Sequence, residues 1–280
     1  MEGLKTSLKT SVLLKQLLNI IVLVKQVPDI ERVKFDVETG RIDRSSAPAE
    51  INPFDLNAIE AAVQIKEKMG GFITALSMGP MQAVSSLRDA VARGVDDAIL
   101  LEDRRFAGAD TLATSHTLAA AIRKIGSYDI ILCGEKTVDG DTGQVGAEVA
   151  QLLEIPHIYY VSRIIRVSEN SITVVSEAEN ASYTLESGFP VLLSVTRDVN
   201  KPRLPTLKSK MKAMKSEVKI WHAEDLSGFL DLDKAGYAGS PTWVQKVVVQ
   251  KEKTRQCRIH RQVEDGLQEL MRLLEAKGLV

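Results

Sequence analysis

The run Cys133-Gly-Glu-Lys-Thr-Val-Asp-Gly-Asp-Thr-Gly-Gln-Val-Gly146 carries the residue types of a loop whose backbone can close on an anion. Gly134, Gly140, Gly143 and Gly146 permit sharp turns and a close approach to a ligand. The loop follows a strand-like run, Tyr128 to Leu132, and precedes a helical pattern over Thr142–Leu153. Asp141 or Thr142 is placed to cap that helix, so its unpaired N–H groups and the positive end of its dipole face the loop. Such geometry suits a phosphate or pyrophosphate. An ordinary strand–loop–helix turn would use the same glycines, and the spacing is neither that of a Walker A loop nor that of the dinucleotide fingerprint. The residues alone leave both readings open.

Other chemistries are poorly supplied. Cys133 and Cys257 are too few for a disulfide framework and lack metal-ligand spacing, which fits reducing conditions inside a cell. His116, His157, His222 and His260 form no HxxxH or HExxH arrangement, so neither a metal site nor a histidine-dependent triad is expected. Cys133 closes a strand and reads as a buried core thiol rather than a nucleophile. The 280 residues are 44% hydrophobic and 26% charged with a net charge of −1, the balance of a soluble globular chain that calls for no nucleic acid or membrane surface. No run reaches the length of a membrane span. Residues 1–19 carry lysines, then Val12-Leu-Leu14 and Leu17-Leu18; Lys15 and Gln16 interrupt the apolar run and no small-residue cleavage site follows. This segment reads as an extension, or as the product of an upstream start, rather than a secretory signal.

The elements that must position the loop alternate along residues 20–160. Ile20 to Lys25 reads as a strand buried on both faces. Asn52 is a plausible cap and Pro53 a first-turn residue for a helix to Met69, stopped by Gly70-Gly71. Phe72–Ser77 is expected as strand, Pro80–Arg93 as helix ending at Gly94, Ala98–Leu101 as strand, and Asp110–Ile125 as a helix capped by Asp110 or Thr111. This repetition predicts an α/β fold, a mainly parallel doubly wound sheet with helices on both faces. Ligands then sit beyond the carboxyl ends of the strands. The loops there are Val27–Asp29, Ser77–Pro80, Leu101–Ala109 and Gly134–Gly143.

Beyond Tyr159 the pattern changes. Val161–Val167, Ser171–Ser176, Ser182–Leu185 and Val191–Val195 read as added antiparallel strands. Lys201, Arg203, Lys208, Lys210, Lys212, Lys215 and Lys219 then face only Glu217 nearby; a solvated basic surface and a dock for an acidic partner are both open. Trp221 to Arg258 strings large apolar groups through polar sequence, as an extended C-terminal arm does. Val263, Leu267, Leu270, Leu273 and Leu274 form one helical stripe, expected to bury itself against the main sheet or a partner. The division is an N-terminal extension (1–19), a nucleotide-binding α/β domain (20–199), a basic segment (200–219) and the C-terminal arm and helix (220–280).

With these motifs laid out, the chain resembles the beta (small) subunits of electron transfer flavoproteins. The resemblance is carried by Ile21-Val-Leu-Val-Lys-Gln-Val-Pro-Asp29, Ile51-Asn-Pro-Phe-Asp55, Leu76-Ser-Met-Gly-Pro-Met-Gln82 and Phe106-Ala-Gly-Ala-Asp-Thr-Leu-Ala-Thr114. The Gly134–Gly146 loop, Asn200-Lys-Pro-Arg-Leu-Pro-Thr-Leu207 and Gly239-Ser-Pro-Thr-Trp-Val244 complete it, in order, from about residue 20 onward. It implies a fold of the adenine-nucleotide alpha-hydrolase kind, paired with a larger alpha subunit that holds most of an electron-carrying FAD. The beta subunit holds a second nucleotide: a structural AMP in housekeeping members, or a second FAD reduced by NADH in electron-bifurcating ones.

Carried over position by position, the resemblance assigns the nucleotide to Leu23, the turn Asn52, Pro53, Phe54 and Asp55, Met78, and the loop Gly134, Glu135, Lys136, Thr137, Val138, Asp139, Gly140, Asp141, Thr142, Gly143, Gln144 and Val145. Phe54 would lie toward the alpha-subunit flavin. Asp110, Thr111 and Thr114 are further candidates for a pyrophosphate, although helix capping also explains them. Leu207 corresponds to the apolar anchor of a partner-recognition segment. Asp139-Gly-Asp-Thr-Gly-Gln-Val-Gly146 follows the bifurcating and nitrogen-fixation-related branches rather than the more acidic, Asn-containing housekeeping loop, which favours FAD over AMP. Glu135-Lys136-Thr137 departs from the Lys-Gln-Ala of many relatives. The implied partners are the alpha subunit, a dehydrogenase or quinone oxidoreductase, and in bifurcating systems a ferredoxin-like subunit. The implied location is cytoplasmic, with peripheral membrane attachment through a quinone oxidoreductase as an option. A conventional carrier with AMP, and a stand-alone adenine-nucleotide sensor or hydrolase, are the alternatives.

Overall fold

The computed structural model describes residues 17–29, 34–36, 41–43, 49–243, 245 and 257–280, so most of the expected N-terminal extension lies outside the described residues. The first strand, β1 (Leu18–Leu23), alternates its side chains between two cores: Ile20 and Val22 enter one, Ile21 and Leu23 the other. Short strands follow, β2 (Gln26–Pro28), β3 (Lys34–Asp36), β4 (Arg41–Asp43) and β5 (Ala49–Ile51), with β2 paired to β5 and β3 to β4.

Helix α1 (Pro53–Met69) starts on its proline and ends at Gly70, whose φ of 80° few other residues tolerate. Strand β6 (Gly71–Met78), a 3₁₀ turn at Met81–Ala83 and helix α2 (Val84–Arg93) follow. Then come β7 (Asp97–Leu101), α3 (Thr111–Ile125), β8 (Ile130–Gly134) and α4 (Val145–Leu153). Helices α1 and α2 cover one face of the sheet, with Ile59, Ala62, Leu87 and Ala90 in its core; α3 and α4 cover the other with Leu118, Ile122, Val149 and Ala150.

The rest of the chain extends both ends of this sheet. Strands β9 (His157–Val167), β10 (Ser171–Ala178) and β11 (Ala181–Gly188) form an antiparallel meander. Strand β12 (Val191–Val195) departs from the antiparallel expectation: it inserts between β8 and β9 and runs parallel to both. All five of its residues are buried, the mark of a central strand with helices on each side rather than a meander edge. After α5 (Leu207–Met214), β13 (Lys219–Trp221) adds a parallel strand beside β7. The final order is β11-β10-β9-β12-β8-β1-β6-β7-β13. Because the chain leaves β1 toward β6 and later returns to β8 on its other side, the strand order reverses at β1. The predicted mainly parallel α/β sheet with added antiparallel strands is thus what forms.

Helix α6 (Val263–Ala276) has its apolar stripe in solvent: Leu267 is 55% and Leu270 51% exposed, and no residue of the helix is buried. The expected packing against this chain's own sheet does not occur. Periodicity shows that a stripe must be covered; it does not show by what. Among the described residues no helix is long and apolar enough to cross a membrane.

Candidate functional site

A crevice of about 700 Å³ opens at the carboxyl ends of β1, β6, β7 and β8, beside the point where strand order reverses. Its size lies in the range of cofactor-holding pockets. Leu23, Leu76, Met78, Phe106 and Leu118 give it apolar walls; Asp110, Thr111, Thr114, Thr142 and Gln144 give it polar ones. Three of the four expected loops reach it. The first contributes through Val24 and Lys25 instead of Val27–Asp29, because the chain enters β2 at Gln26.

Asp55 holds the strand ends together. One carboxylate oxygen accepts the Lys25 N–H at 2.8 Å, just past β1, and the other accepts the Gly134 N–H at 3.1 Å, where β8 stops. Burial pushes its pKa up to about 7, against the pull of these hydrogen bonds. Gly134 must be glycine: a Cβ there would stand 2.5 Å from Phe54 Cβ and 2.6 Å from the Asp55 carboxylate. Asn52 sits at the start of α1 yet makes no capping bond; its amide instead donates to Lys136 O at 2.9 Å and accepts from Val138 N at 3.2 Å. The first turn of α1 therefore props the glycine loop from below.

The loop itself turns on two left-handed residues, Asp141 (φ 53°) and Gly143 (φ 63°). Tyr159 closes it: its hydroxyl lies 2.8 Å from Glu135 O and 2.7 Å from Gly143 O, and a Cβ on Gly143 would come within 2.4 Å of that oxygen. Tyr159 reaches the loop because β9 bulges there, with shifted pairing and Tyr160 at φ 49°. A bulge re-aims a side chain, at the cost of a strained residue. Two of the loop's three acids, Asp139 and Asp141, are paired locally with lysines. Lys25 Nζ bonds both oxygens of Asp139 at 2.8 Å, and Lys136 Nζ bonds Asp141 at 2.8 Å. Burial raises the Asp139 pKa but the Lys25 ammonium outweighs it, leaving the group below its ordinary range.

Helix α4 begins later than its sequence pattern, at Val145. Neither Asp141 nor Thr142 caps it; Gln144 occupies the cap position without a side-chain hydrogen bond. Its first N–H groups stand beside the crevice with no capping side chain, as an anion site requires. Helix α3 is capped as expected, Asp110 accepting the Ala113 N–H at 3.0 Å. The two helices are tied together by Glu148, which accepts from Thr111 Oγ1 at 3.1 Å and Ser115 Oγ at 2.9 Å.

Of the candidates from sequence, Leu23, Asp55, Met78, Asp110, Thr111 and Thr114 line the crevice, as do Gly134, Glu135, Lys136, Thr137, Gly140, Thr142, Gly143, Gln144 and Val145. Asn52, Val138, Asp139 and Asp141 shape the loop from outside the lining. Pro53 and Phe54 are not in the lining either; Phe54 is buried beneath the Arg197 guanidinium, 4.6 Å from its ring centroid. Leu207 begins α5, on the far face with α2, and is 76% exposed. Sequence reasoning missed Tyr159, Lys25 and Trp243. Alternation marks Tyr159 only as a strand residue, and the bulge that turns it inward leaves no local signal.

A doubly wound sheet with a cofactor-sized crevice at its switch point, and an uncapped helix N-terminus beside a glycine loop, define an α/β ligand-binding protein. Residues 39–226 match the electron transfer flavoprotein domain model. The chain is 44% identical to electron transfer flavoprotein subunit beta of Clostridium acetobutylicum, covering 82% of this chain and 87% of that one. It is 39% identical to protein FixA of Azotobacter vinelandii, over 85% of this chain and 86% of the relative. It is 41% identical to the caffeyl-CoA reductase-Etf complex subunit CarD of Acetobacterium woodii, over 81% and 86%. The chain belongs to the electron transfer flavoprotein family, among its beta subunits.

Proposed function

We propose that this chain pairs with an electron transfer flavoprotein alpha subunit and holds a second FAD of its own in the switch-point crevice. The pair would carry electrons between NADH or a dehydrogenase and a quinone-linked or low-potential acceptor, by bifurcation. The observation that carries the reading is the uncapped N-terminus of α4 beside a glycine loop held open by Asn52, Asp55 and Tyr159. The loop suits a pyrophosphate: N–H groups without a capping side chain, a dipole end, and Asp139 and Asp141 already paired with lysine. Leu23, Leu76 and Met78 supply an apolar wall for a ring. Bound FAD supplies the redox chemistry, and the chain binds it, orients it and shields it from water. The names of the FixA and CarD relatives support a specialised branch of the family over a housekeeping carrier.

Two further surfaces fit the same reading. Leu207, Met211 and Met214 lie on one exposed stripe of α5, flanked by Lys208, Lys212 and Lys215, which suits transient docking of a redox partner. The exposed stripe of α6 suits the alpha subunit. The test of the nucleotide site is Gly143→Val. A β-branched residue at φ 63°, with its Cβ 2.4 Å from the Tyr159 hydroxyl, cannot keep the loop. The purified complex should lose its beta-site nucleotide and keep the alpha-site FAD; an unchanged nucleotide content would refute the loop's role.

A further inference from the structure

The crevice has in its lining one large exposed aromatic residue from neither the glycine loop nor the sheet and its helices. Trp243 lines it, although 69% of the residue is exposed. A large aromatic group left this open at the mouth of a cavity has one face without a packing partner. Its position is fixed by its neighbours. Thr242 donates its N–H at 3.0 Å and its hydroxyl at 2.8 Å to one oxygen of Asp110, the cap of α3. Asp110 in turn donates its N–H to Ser240 Oγ at 2.8 Å, and Ser240 donates to Gly236 O at 2.7 Å. Gly236 and Gly239 are packed too closely for any side chain, with Cβ positions 1.9 Å from Arg105 O and 2.1 Å from Lys234 C. Tyr237 N–H bonds Ala107 O at 2.9 Å. The segment before Trp243 is thus fastened to the loop after β7 and to the N-terminus of α3. Asp110 carries out that fastening as an anion: burial raises its pKa, but the Ala113 N–H and the Thr242 groups hold it below the ordinary range.

We infer that Trp243 is a stacking residue that selects a second planar ring, the isoalloxazine of FAD, over a mononucleotide in the crevice. The inference rests on the nucleotide reading above and extends it. An adenylate alone has one ring system, for which the apolar wall of Leu23, Leu76 and Met78 suffices. A dinucleotide carries a second across its pyrophosphate, and the indole of Trp243, next to the Thr242 that is bonded to the cap of α3, is the exposed aromatic group in the crevice lining. An electron-rich indole against an electron-poor flavin is a favourable stack.

The experiment uses the complex with its alpha subunit, stripped of the beta-site nucleotide, and measures FAD and AMP rebinding separately for the parent, Trp243→Ala and Trp243→Phe. Stacking on one ring is lost in Trp243→Ala, so its Kd for FAD should rise about tenfold. AMP affinity should stay within about twofold of the parent, which also shows that the crevice has folded. Trp243→Phe should restore most of the FAD affinity. An unchanged FAD Kd in Trp243→Ala overturns the inference, and so does an equal loss of AMP, which would make Trp243 a support of crevice shape. If the parent binds neither nucleotide, the nucleotide reading fails and this inference with it. If the parent binds both and Trp243→Ala is indifferent, only the inference fails.

Discussion

A single phenolic hydroxyl stands within hydrogen-bond reach of the glycine loop at two points. The Tyr159 hydroxyl sits between Glu135 O and Gly143 O and can donate to one of them at a time. Burial raises its pKa, so it remains a donor throughout the working range. In Tyr159→Phe the ring still fills its place, but both carbonyls lose their partner. Nucleotide affinity should fall about three- to tenfold, the worth of one such bond, with little change in unfolding temperature. Equilibrium titration beside a thermal melt separates the two; a large melting shift with unchanged affinity would make Tyr159 a core residue only. Asp55 gives a different kind of test. Its carboxyl titrates near pH 7 in the folded chain, against an ordinary value of 3.8. Between those values the folded state binds more protons than the unfolded one, so stability falls as pH rises from about 4 to 7 and levels off above. The contribution is at most about 4 kcal/mol. Denaturant midpoints across that range should show the slope in the parent and lack it in Asp55→Asn; equal slopes would locate the titration elsewhere.

At the scale of elements, most of the fold was legible because buried parallel strands announce themselves as apolar runs and helices as periodic ones. The starts of α1, α3 and the glycine stops at Gly70 and Gly94 follow directly from residue chemistry. The misreadings have a common physical cause. Local pattern reports how much a segment must bury, and it does not report its neighbour. Val191–Val195 is apolar except for Ser194, and only the sheet order reveals that it lies between two parallel strands. The basic segment hid α5 because its apolar residues are few and outward; Arg203 and Lys219 also pair with distant acids, Glu60, Glu67 and Asp97, that no sequence window includes. Helix α6 is the extreme case, a strong amphipathic pattern with no cover among the described residues. If the alpha subunit covers it, Leu267→Glu with Leu270→Glu should weaken heterodimer formation at least about tenfold while the circular dichroism of the α/β body is kept. Ultracentrifugation of the paired subunits reads this directly, and an unchanged dissociation constant would exclude α6 from the interface.

For the whole molecule, the proposed function divides labour between crevice and exterior. The crevice on the α3–α4 face would hold a cofactor; the stripe on α5, across the sheet, would meet a partner. Leu207→Ala should therefore raise the KM for the acceptor partner several-fold and leave flavin content unchanged, since a protruding apolar anchor carries binding energy that the surrounding lysines only steer. Steady-state transfer at two ionic strengths would distinguish anchor from steering, and an unaltered KM would remove Leu207 from the interface. The site was less legible than the fold. Its glycine loop stood out by composition, whereas Tyr159 and Trp243 come into place through a bulge and a distant tether that only the folded chain brings together. The central claim, a second FAD in the beta half, is tested most directly by releasing and counting nucleotides from the purified heterodimer. Two FAD per complex without AMP is the predicted result; one FAD accompanied by AMP would contradict it.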